Sequence, residues 1–247
     1  MKKLDLSKIV FYRDFPESQY NKIETKKKQI VLHHTVSGRG VKGDINWWLQ
    51  DVKKIATHFL IDHDGVIHQL FSTKYWANHL GVYNEIFQQN NVDFIYRVVG
   101  GKRIIINNRL LNEESIGIEI DSWGGLVKHT DQKWYPGAFN TEKGCYEPRL
   151  NLRPIPDDQI EFYPNGYRGF FGYEKYTDKQ IESLGSLLVY LCETFNISKQ
   201  YNSDMWYISR DALQGNLGIW SHVSYRPDKS DAHPQHDLKV MLMNLHK

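Results

Sequence analysis

Short β-branched runs that alternate with helix-like segments constrain the fold of this chain more than any other feature. The run IVLHHT at 30–35 is apolar and β-branched, as in a buried strand, whereas 177–197 carries an apolar helical stripe behind a capping box formed by Thr177 and Gln180. Further strand signals lie at 57–71, where Asp64-Gly65 indicates a hairpin turn, at 115–125 and at 217–222, and further helix signals lie at 44–55 and 237–245. This alternation predicts an α/β fold, with a central mixed β-sheet flanked by helices.

The length of 247 residues is enough for one elaborated domain with a full core. Residues 1–29 are polar and rich in lysine, and we interpret them as an N-terminal leader packed loosely on a domain formed by 30–247. Two long segments, at about 83–113 and 126–176, do not fit a minimal version of this plan and are interpreted as insertions. The first holds a Gly100-Gly101 turn between strand-like runs. The second is rich in Tyr, Phe, Pro and Gly, and we expect a structureless stretch that carries function or walls a site.

Composition excludes several classes of function. The formal net charge of +2 gives no strong field, so nucleic-acid binding is not expected. No run approaches the roughly 20 apolar residues that cross a bilayer, and the N-terminus lacks the apolar run of a signal peptide. With only Cys145 and Cys192, the chain is not a disulfide-dense scaffold. We therefore expect synthesis in the cytoplasm, with any role outside the cell depending on separate release; the sequence leaves the oligomeric state open.

Three residues that are distant in sequence, His33, His222 and Asp231, have side chains that bind zinc well. Taken singly, each has a structural interpretation: either histidine could be a structural residue bonded to backbone, and Asp231 could be a turn carboxylate. Two imidazoles and one carboxylate leave the fourth tetrahedral position of a zinc ion open, which is typical of a hydrolytic site rather than a structural one. If the three residues converge, they predict a metallohydrolase.

Two further residues carry candidate chemistry. Glu119 lies among isoleucines in SIGIEID, where a carboxylate is costly to bury unless it is paired or functional. It could occupy an exposed face, pair with a buried base, or act as a general base with a tuned pKa. Lys229 lies between the last two candidate ligands and could equally be a solvated surface charge.

The order of these motifs resembles that of the type-2 amidase family, zinc-dependent N-acetylmuramoyl-L-alanine amidases that include phage endolysins, muropeptide amidases and peptidoglycan-recognition proteins. The resemblance covers about 30–245 and rests on IVLHHT, ATHFLIDHDGVIHQL, WANHLG, SIGIEI, a helix that begins at TDKQ, SH and RPDKSD. It implies zinc ligands at His33, His222 and Asp231, catalytic roles for Glu119 and Lys229, and a substrate-side loop with Trp76, Asn78 and His79. It also implies Zn²⁺ as cofactor, a peptidoglycan or muropeptide substrate, and an endolysin-like lytic enzyme that cleaves between N-acetylmuramic acid and L-alanine.

The chain departs from the family pattern at several positions. Ala232-His233 replaces the family's Pro-Gly after the third ligand, which makes His233 an alternative ligand. Thr57 stands where some phage members have a catalytic tyrosine, and the loop at 76–81 carries one extra residue. Two alternative functions stay open: a peptidoglycan-binding module without activity, and a cytosolic amidase that recycles muropeptides in a closed pocket.

Overall fold

The structure is a computed structural model, and it describes residues 4–50, 52–89 and 93–246. The α-helices are α1 (Lys42–Gln50), α2 (Asn84–Phe87), α3 (Asn108–Glu113), α4 (Asp178–Phe195), α5 (Arg210–Leu213) and α6 (His236–Met243). The first nine strands are β1 (Val10–Phe11), β2 (Gln29–His34), β3 (Phe59–Ile61), β4 (Ile67–Gln69), β5 (Gln88–Gln89), β6 (Asp93–Phe94), β7 (Tyr96–Val99), β8 (Lys102–Ile105) and β9 (Ser115–Ile120). The remaining strands are β10 (Gly125–Lys128), β11 (Trp134–Asn140), β12 (Cys145–Pro148), β13 (Ile160–Tyr167), β14 (Phe170–Glu174) and β15 (Gly218–Ser221).

A six-stranded mixed sheet forms the centre of the fold, in the order β1-β4-β3-β9-β2-β15. The neighbours β3, β9, β2 and β15 run parallel, and β4 turns back against β3 as the predicted hairpin. Every residue of β2 is buried, as expected for a parallel strand covered on both faces. The predicted α/β class and its central mixed sheet are confirmed.

The two faces of the central sheet support separate apolar layers. Alternation along β3 sends Phe59 and Ile61 to the main core, whereas Leu60 joins a smaller cluster with Trp48 of α1. Helix α4 covers the main core, and its N-terminus has the capping box that the sequence predicts at Thr177. Among the described residues, no helix has the combined length and apolar character needed to span a membrane.

Helix α1 differs from its sequence-based expectation. The sequence predicts a helix over 44–55 with Asp44 as its cap, but the helix begins at Lys42 and ends at Gln50. Asp44 therefore lies inside the first turn, where its side chain is buried. The apolar stripe of the predicted helix includes Val52, but this residue lies beyond the end of the helix and is 94% exposed.

Residues 126–176 are not structureless, and this expectation was wrong. Together with Gly125, they form an antiparallel five-stranded sheet in the order β12-β11-β10-β14-β13. The ring of Phe170 packs on Gly125 and Gly137. A Cβ atom at Gly125 would lie 2.5 Å from the nearest ring atom, and a Cβ atom at Gly137 would lie 2.9 Å from the ring atom nearest to it. Glycine is needed at both positions for the ring to lie flat on the sheet. We call this element the second sheet.

The first long segment also contains a defined hairpin. Strands β7 and β8 pair antiparallel around Gly100-Gly101, as the sequence predicts. Both glycines have positive φ, 56° and 75°, which suits the primed turn of a two-residue hairpin.

The N-terminal segment contacts the domain through specific side chains. Ile9, Phe15 and Tyr20 are buried in the two apolar clusters, and β1 adds to the edge of the central sheet beside β4. Lys27 is only 1% exposed, and its Nζ donates to the carbonyl oxygen of Glu113 over 2.8 Å. The division into a leader and a domain stays a prediction.

An ionic cluster of one partly exposed histidine and two buried carboxylates joins the second sheet to the central sheet. His63, in the β3–β4 turn, places Nδ1 3.2 Å from Oδ2 of Asp121 and Nε2 3.5 Å from Oε1 of Glu174. Burial would lower the pKa of His63, but the hydrogen bonds and negative charges of Asp121 and Glu174 outweigh it and raise the pKa to about 9. The imidazolium thus holds together two carboxylates from different sheets.

We expect His63→Gln to destabilise the fold by about 2 kcal/mol at pH 6, after allowance for solvent screening at this partly exposed group. Because the folded pKa is raised, the contribution is complete below pH 6.5, declines as pH rises, and is lost above about pH 9. Urea unfolding of the wild type and the variant at pH 6 and pH 9.5 checks this. The control is His129→Gln, which removes a half-buried histidine that contacts one carboxylate, that of Asp131, rather than two. Equal stability gaps at both pH values for His63→Gln would contradict the prediction.

Candidate metal centre

Three predicted ligand side chains meet at the carboxyl ends of neighbouring parallel strands. His33 lies in β2, His222 directly follows β15, and Asp231 follows on the next loop. The Nδ1 atoms of His33 and His222 are 3.0 Å apart, and Oδ2 of Asp231 lies 3.1 and 2.9 Å from them. Within the part of the chain that the structure describes, these three residues form the group whose donor atoms could hold one metal ion.

The electrostatics of the group favour the protonation states that a metal requires. Burial and then the neighbouring His222 lower the pKa of His33 to about 4, so its imidazole is neutral at physiological pH. Burial would raise the pKa of Asp231, but His222 and His33 hold it well below the usual range. A neutral imidazole and an ionised carboxylate can coordinate without first losing a proton.

The outer nitrogens of both imidazoles are also held in place. Nε2 of His222 donates to the carbonyl oxygen of Leu80 over 2.8 Å when Nδ1 faces the centre. In the same orientation, Nε2 of His33 donates to Nδ1 of His79 over 3.0 Å, and Nε2 of His79 donates to Oγ of Ser115 over 2.8 Å. Because a carbonyl oxygen can only accept, the Leu80 contact fixes the tautomer of His222. The contacts through His79 to Ser115 are compatible with the same tautomer at His33, in which the Nδ1 lone pairs of both ligands face Asp231.

Glu119 lies on the strand next to His33. It pairs in register with His33 across β2 and β9, and its Oε2 is buried without a hydrogen-bond partner among the described residues. Burial raises the pKa of Glu119 well above its usual value; the charges of Asp231 and Asp44 add to this, and that of Lys229 opposes it. A half-buried carboxyl with one unpartnered buried oxygen, beside a metal-binding group, has the environment of a general acid–base residue.

A cavity of about 690 Å³ opens over these residues. Glu119, Lys229 and the three candidate ligands line it, as do Asn78 and His79 of the predicted substrate loop. Trp47 lines its wall as well and is 58% exposed, so the cavity is accessible from solvent. A site of this size can enclose part of an extended substrate.

Two predicted residues lie away from this cavity wall. Trp76 is buried and pairs through its backbone with Asn21, and it is not among the residues that line the cavity. His233 is fully buried, with Nδ1 2.8 Å from the hydroxyl of Tyr163 and Nε2 3.2 Å from the carbonyl oxygen of Glu174. Both ring nitrogens of His233 are thus engaged at the second sheet, outside the group of candidate ligands.

Thr57, which stands where some phage members of the family have a catalytic tyrosine, lines the cavity, but its hydroxyl donates to the carbonyl oxygen of Phe59.

Sequence reasoning missed several residues of the cavity, among them Asp44, Trp47 and Arg149. Asp44 was interpreted as a helix cap, whereas its carboxylate is buried in the wall and burial raises its pKa to about 6. Trp47 and Arg149 also line the cavity. The position of Trp47 next to Trp48 on an amphipathic helix was a usable signal. No feature of the local sequence indicated Arg149.

Comparison with known proteins gives one match that bears on function. The sequence model of a family described as N-acetylmuramoyl-L-alanine amidase, Amidase_2, matches residues 19–235. No curated protein matches the chain.

Solved structures align over nearly the whole chain at low identity. One is PlyL, with 12% identity, 99% of this chain and 97% of that chain covered, and a TM-score of 0.47. Another is the N-acetylmuramoyl-L-alanine amidase LysC from Clostridium intestinale URNW, with 14% identity, 97% of each chain covered and a TM-score of 0.48. A third is the Staphylococcus aureus hydrolase AmiA in complex with its ligand, with 14% identity, 99% and 84% covered and a TM-score of 0.47.

Proposed function

The chain belongs to the Amidase_2 family of N-acetylmuramoyl-L-alanine amidases, and from this premise we propose that it is a zinc-dependent peptidoglycan hydrolase with a lytic role. The bond cleaved is the amide between the lactyl group of N-acetylmuramic acid and L-alanine of the stem peptide. The observation that carries the proposal is the convergence of His33, His222 and Asp231 beneath an accessible cavity.

The donor set fits zinc. Two imidazole nitrogens and one carboxylate oxygen lie within 4.8 Å of one another, and both imidazoles are oriented by outer contacts. His33, His222 and Asp231 would hold the ion and leave a position open. Zinc, when bound, supplies Lewis acidity that polarises the scissile carbonyl and makes water a stronger nucleophile at neutral pH.

Glu119 and Lys229 supply the proton transfer and charge stabilisation. The Glu119 carboxylate accepts a proton from the attacking water and passes it to the leaving amine of L-alanine. Because burial of its Oε2 and the charges of Asp231 and Asp44 raise its pKa, Glu119 suits both steps better than an exposed carboxylate does. The Lys229 ammonium stabilises the oxyanion of the tetrahedral intermediate. One well-placed donor of this kind stabilises the transition state by about 3 kcal/mol.

The loop that carries Asn78 and His79 contacts the substrate, since both residues line the cavity. Trp76, in the same segment, is buried and does not line the cavity. A lytic role is favoured by the accessible wall at Trp47, because a polymer needs an open cavity. In this proposal residues 1–29 are a leader, 30–247 form the catalytic domain with insertions at 83–113 and 126–176, and the protein reaches the wall after release from the cytoplasm.

We expect purified peptidoglycan incubated with the protein to release free stem peptides that begin with L-alanine. A chelator should abolish the release, and added zinc should restore it, because the chain's own ligands hold the ion. Mass spectrometry of the soluble products measures this, and reducing-end analysis checks that glycan bonds stay intact.

The alternatives predict different products. Intact glycopeptides under all conditions, with the protein retained on the wall material, would indicate a binding module without activity. Cleavage of soluble muropeptides but not of intact wall would indicate a recycling enzyme. Release that is unaffected by the chelator would exclude the zinc centre.

A further inference from the structure

The second sheet contributes one charged side chain to the cavity, that of Arg149. This residue directly follows β12, and its backbone N–H donates to the carbonyl oxygen of Pro136 over 2.9 Å. Its side chain is half-buried and lines the same cavity as Glu119 and the candidate metal ligands. A segment that forms no part of the central sheet thus reaches into the proposed active site.

The Arg149 guanidinium is supported by a fixed aromatic ring. Its Cζ lies 5.5 Å from the centroid of the Trp123 ring. The backbone N–H of Trp123 donates to Oε2 of Glu174 over 2.6 Å, and the ring packs on Gly38, where a Cβ would meet it at 2.8 Å. Placement over an aromatic face holds the guanidinium while leaving its N–H groups free to donate.

Arg149 differs from the other cations of this cavity in what it contacts. Arg226 is paired with Asp228, with Nη2 2.6 Å from Oδ2 and Nε 3.0 Å from Oδ1. Lys229 lies two residues from Asp231 and is assigned to the reacting carbonyl. Within residues 4–50, 52–89 and 93–246, the Arg149 guanidinium has no carboxylate or carbonyl partner. A preorganised cation without an acceptor in a binding cavity is suited to an anionic group of the ligand.

We propose that Arg149 binds a carboxylate of the stem peptide and thereby makes the enzyme selective for the charge state of its substrate. This inference rests on the proposed function and deepens it. The planar guanidinium matches a carboxylate with two parallel hydrogen bonds, but it cannot match a carboxamide in that way because the amide nitrogen is itself a donor. The second sheet is then part of the substrate site, and its role is to carry Arg149 and to support Trp123 through Glu174.

The test compares soluble N-acetylmuramoyl peptides in which one peptide carboxylate at a time is converted to the amide. With zinc-loaded wild-type protein, one of these amides should be cleaved with kcat/KM about tenfold below the parent compound, mainly through KM. In Arg149→Gln, the parent and that same amide should be cleaved equally, at about the rate of the wild type on the amide. The matched control is Arg153→Gln, which removes an exposed arginine four residues away.

Two results would overturn the role of Arg149: a wild type that cleaves every amide as well as the parent, or an Arg149→Gln variant that keeps the wild-type preference. Binding of the same compounds to metal-free protein, measured by calorimetry, separates this inference from the proposed function. If the protein shows no turnover, the binding data still test the carboxylate contact. A wild-type affinity about tenfold higher for the parent than for the amide, with no such difference in Arg149→Gln, supports the contact. Equal affinities for both compounds in both proteins contradict it.

Discussion

Glu119→Gln is expected to lower turnover by about 100- to 10,000-fold, the usual contribution of a positioned general acid–base group. The amide keeps the shape of the side chain but cannot accept a proton from water. Zinc content should stay at the wild-type level, because Glu119 is not one of the three residues whose donor atoms meet at the centre. Hydrolysis of a soluble muropeptide, followed by release of its peptide, measures the loss.

The fold of this variant should be at least as stable as that of the wild type. Glu119 has a buried oxygen without a partner, and its charge is disfavoured by Asp231 and Asp44. Removing that charge relieves an unfavourable burial, as is common where a residue serves activity rather than stability. The control is Glu85→Gln, which neutralises an exposed carboxylate on α2. Normal turnover in Glu119→Gln, with zinc bound, would show that the base lies elsewhere.

The parts of this fold that the sequence predicts well are those that local patterns determine. The strand β2 is a single buried β-branched run, and α4 has both its apolar stripe and its capping box in the local sequence. The adjacency of His33 and Glu119 also follows from such runs, since parallel buried strands place the residues near their carboxyl ends at one edge of the sheet. The predicted convergence of His33, His222 and Asp231 is found in the structure.

The second sheet could not be predicted in the same way. Its hairpins are joined into one sheet by the pairing of β10 with β14 and by the Phe170 ring on Gly125 and Gly137, and these contacts link residues 33 or more positions apart. Glycines inside strands weaken the local strand signal that sequence reasoning depends on. Arg149 was missed for the same reason: its place in the cavity depends on long-range packing that no local pattern reports.

His222→Ala is expected to remove both the metal and the activity. The substitution deletes one of three donor atoms and also the contact from Nε2 to the carbonyl oxygen of Leu80. With only His33 and Asp231 left, purified protein should contain near-background zinc, and turnover should fall below detection even with added zinc. Elemental analysis of the purified protein together with the muropeptide assay checks both expectations.

Thermal unfolding separates loss of the metal from loss of the fold. Zinc that binds only the native state stabilises it by about 2.7 kcal/mol at a free concentration 100 times its Kd, so the wild type should unfold at a higher temperature with zinc than after chelation. His222→Ala should unfold cooperatively at one temperature in both conditions. The control is His236→Ala, which removes an exposed histidine at the start of α6 and should keep the zinc-dependent shift. A His222→Ala protein that retained zinc and its thermal shift would place the metal in another ligand set, and the convergence of the three side chains would then be a structural hydrogen-bond cluster.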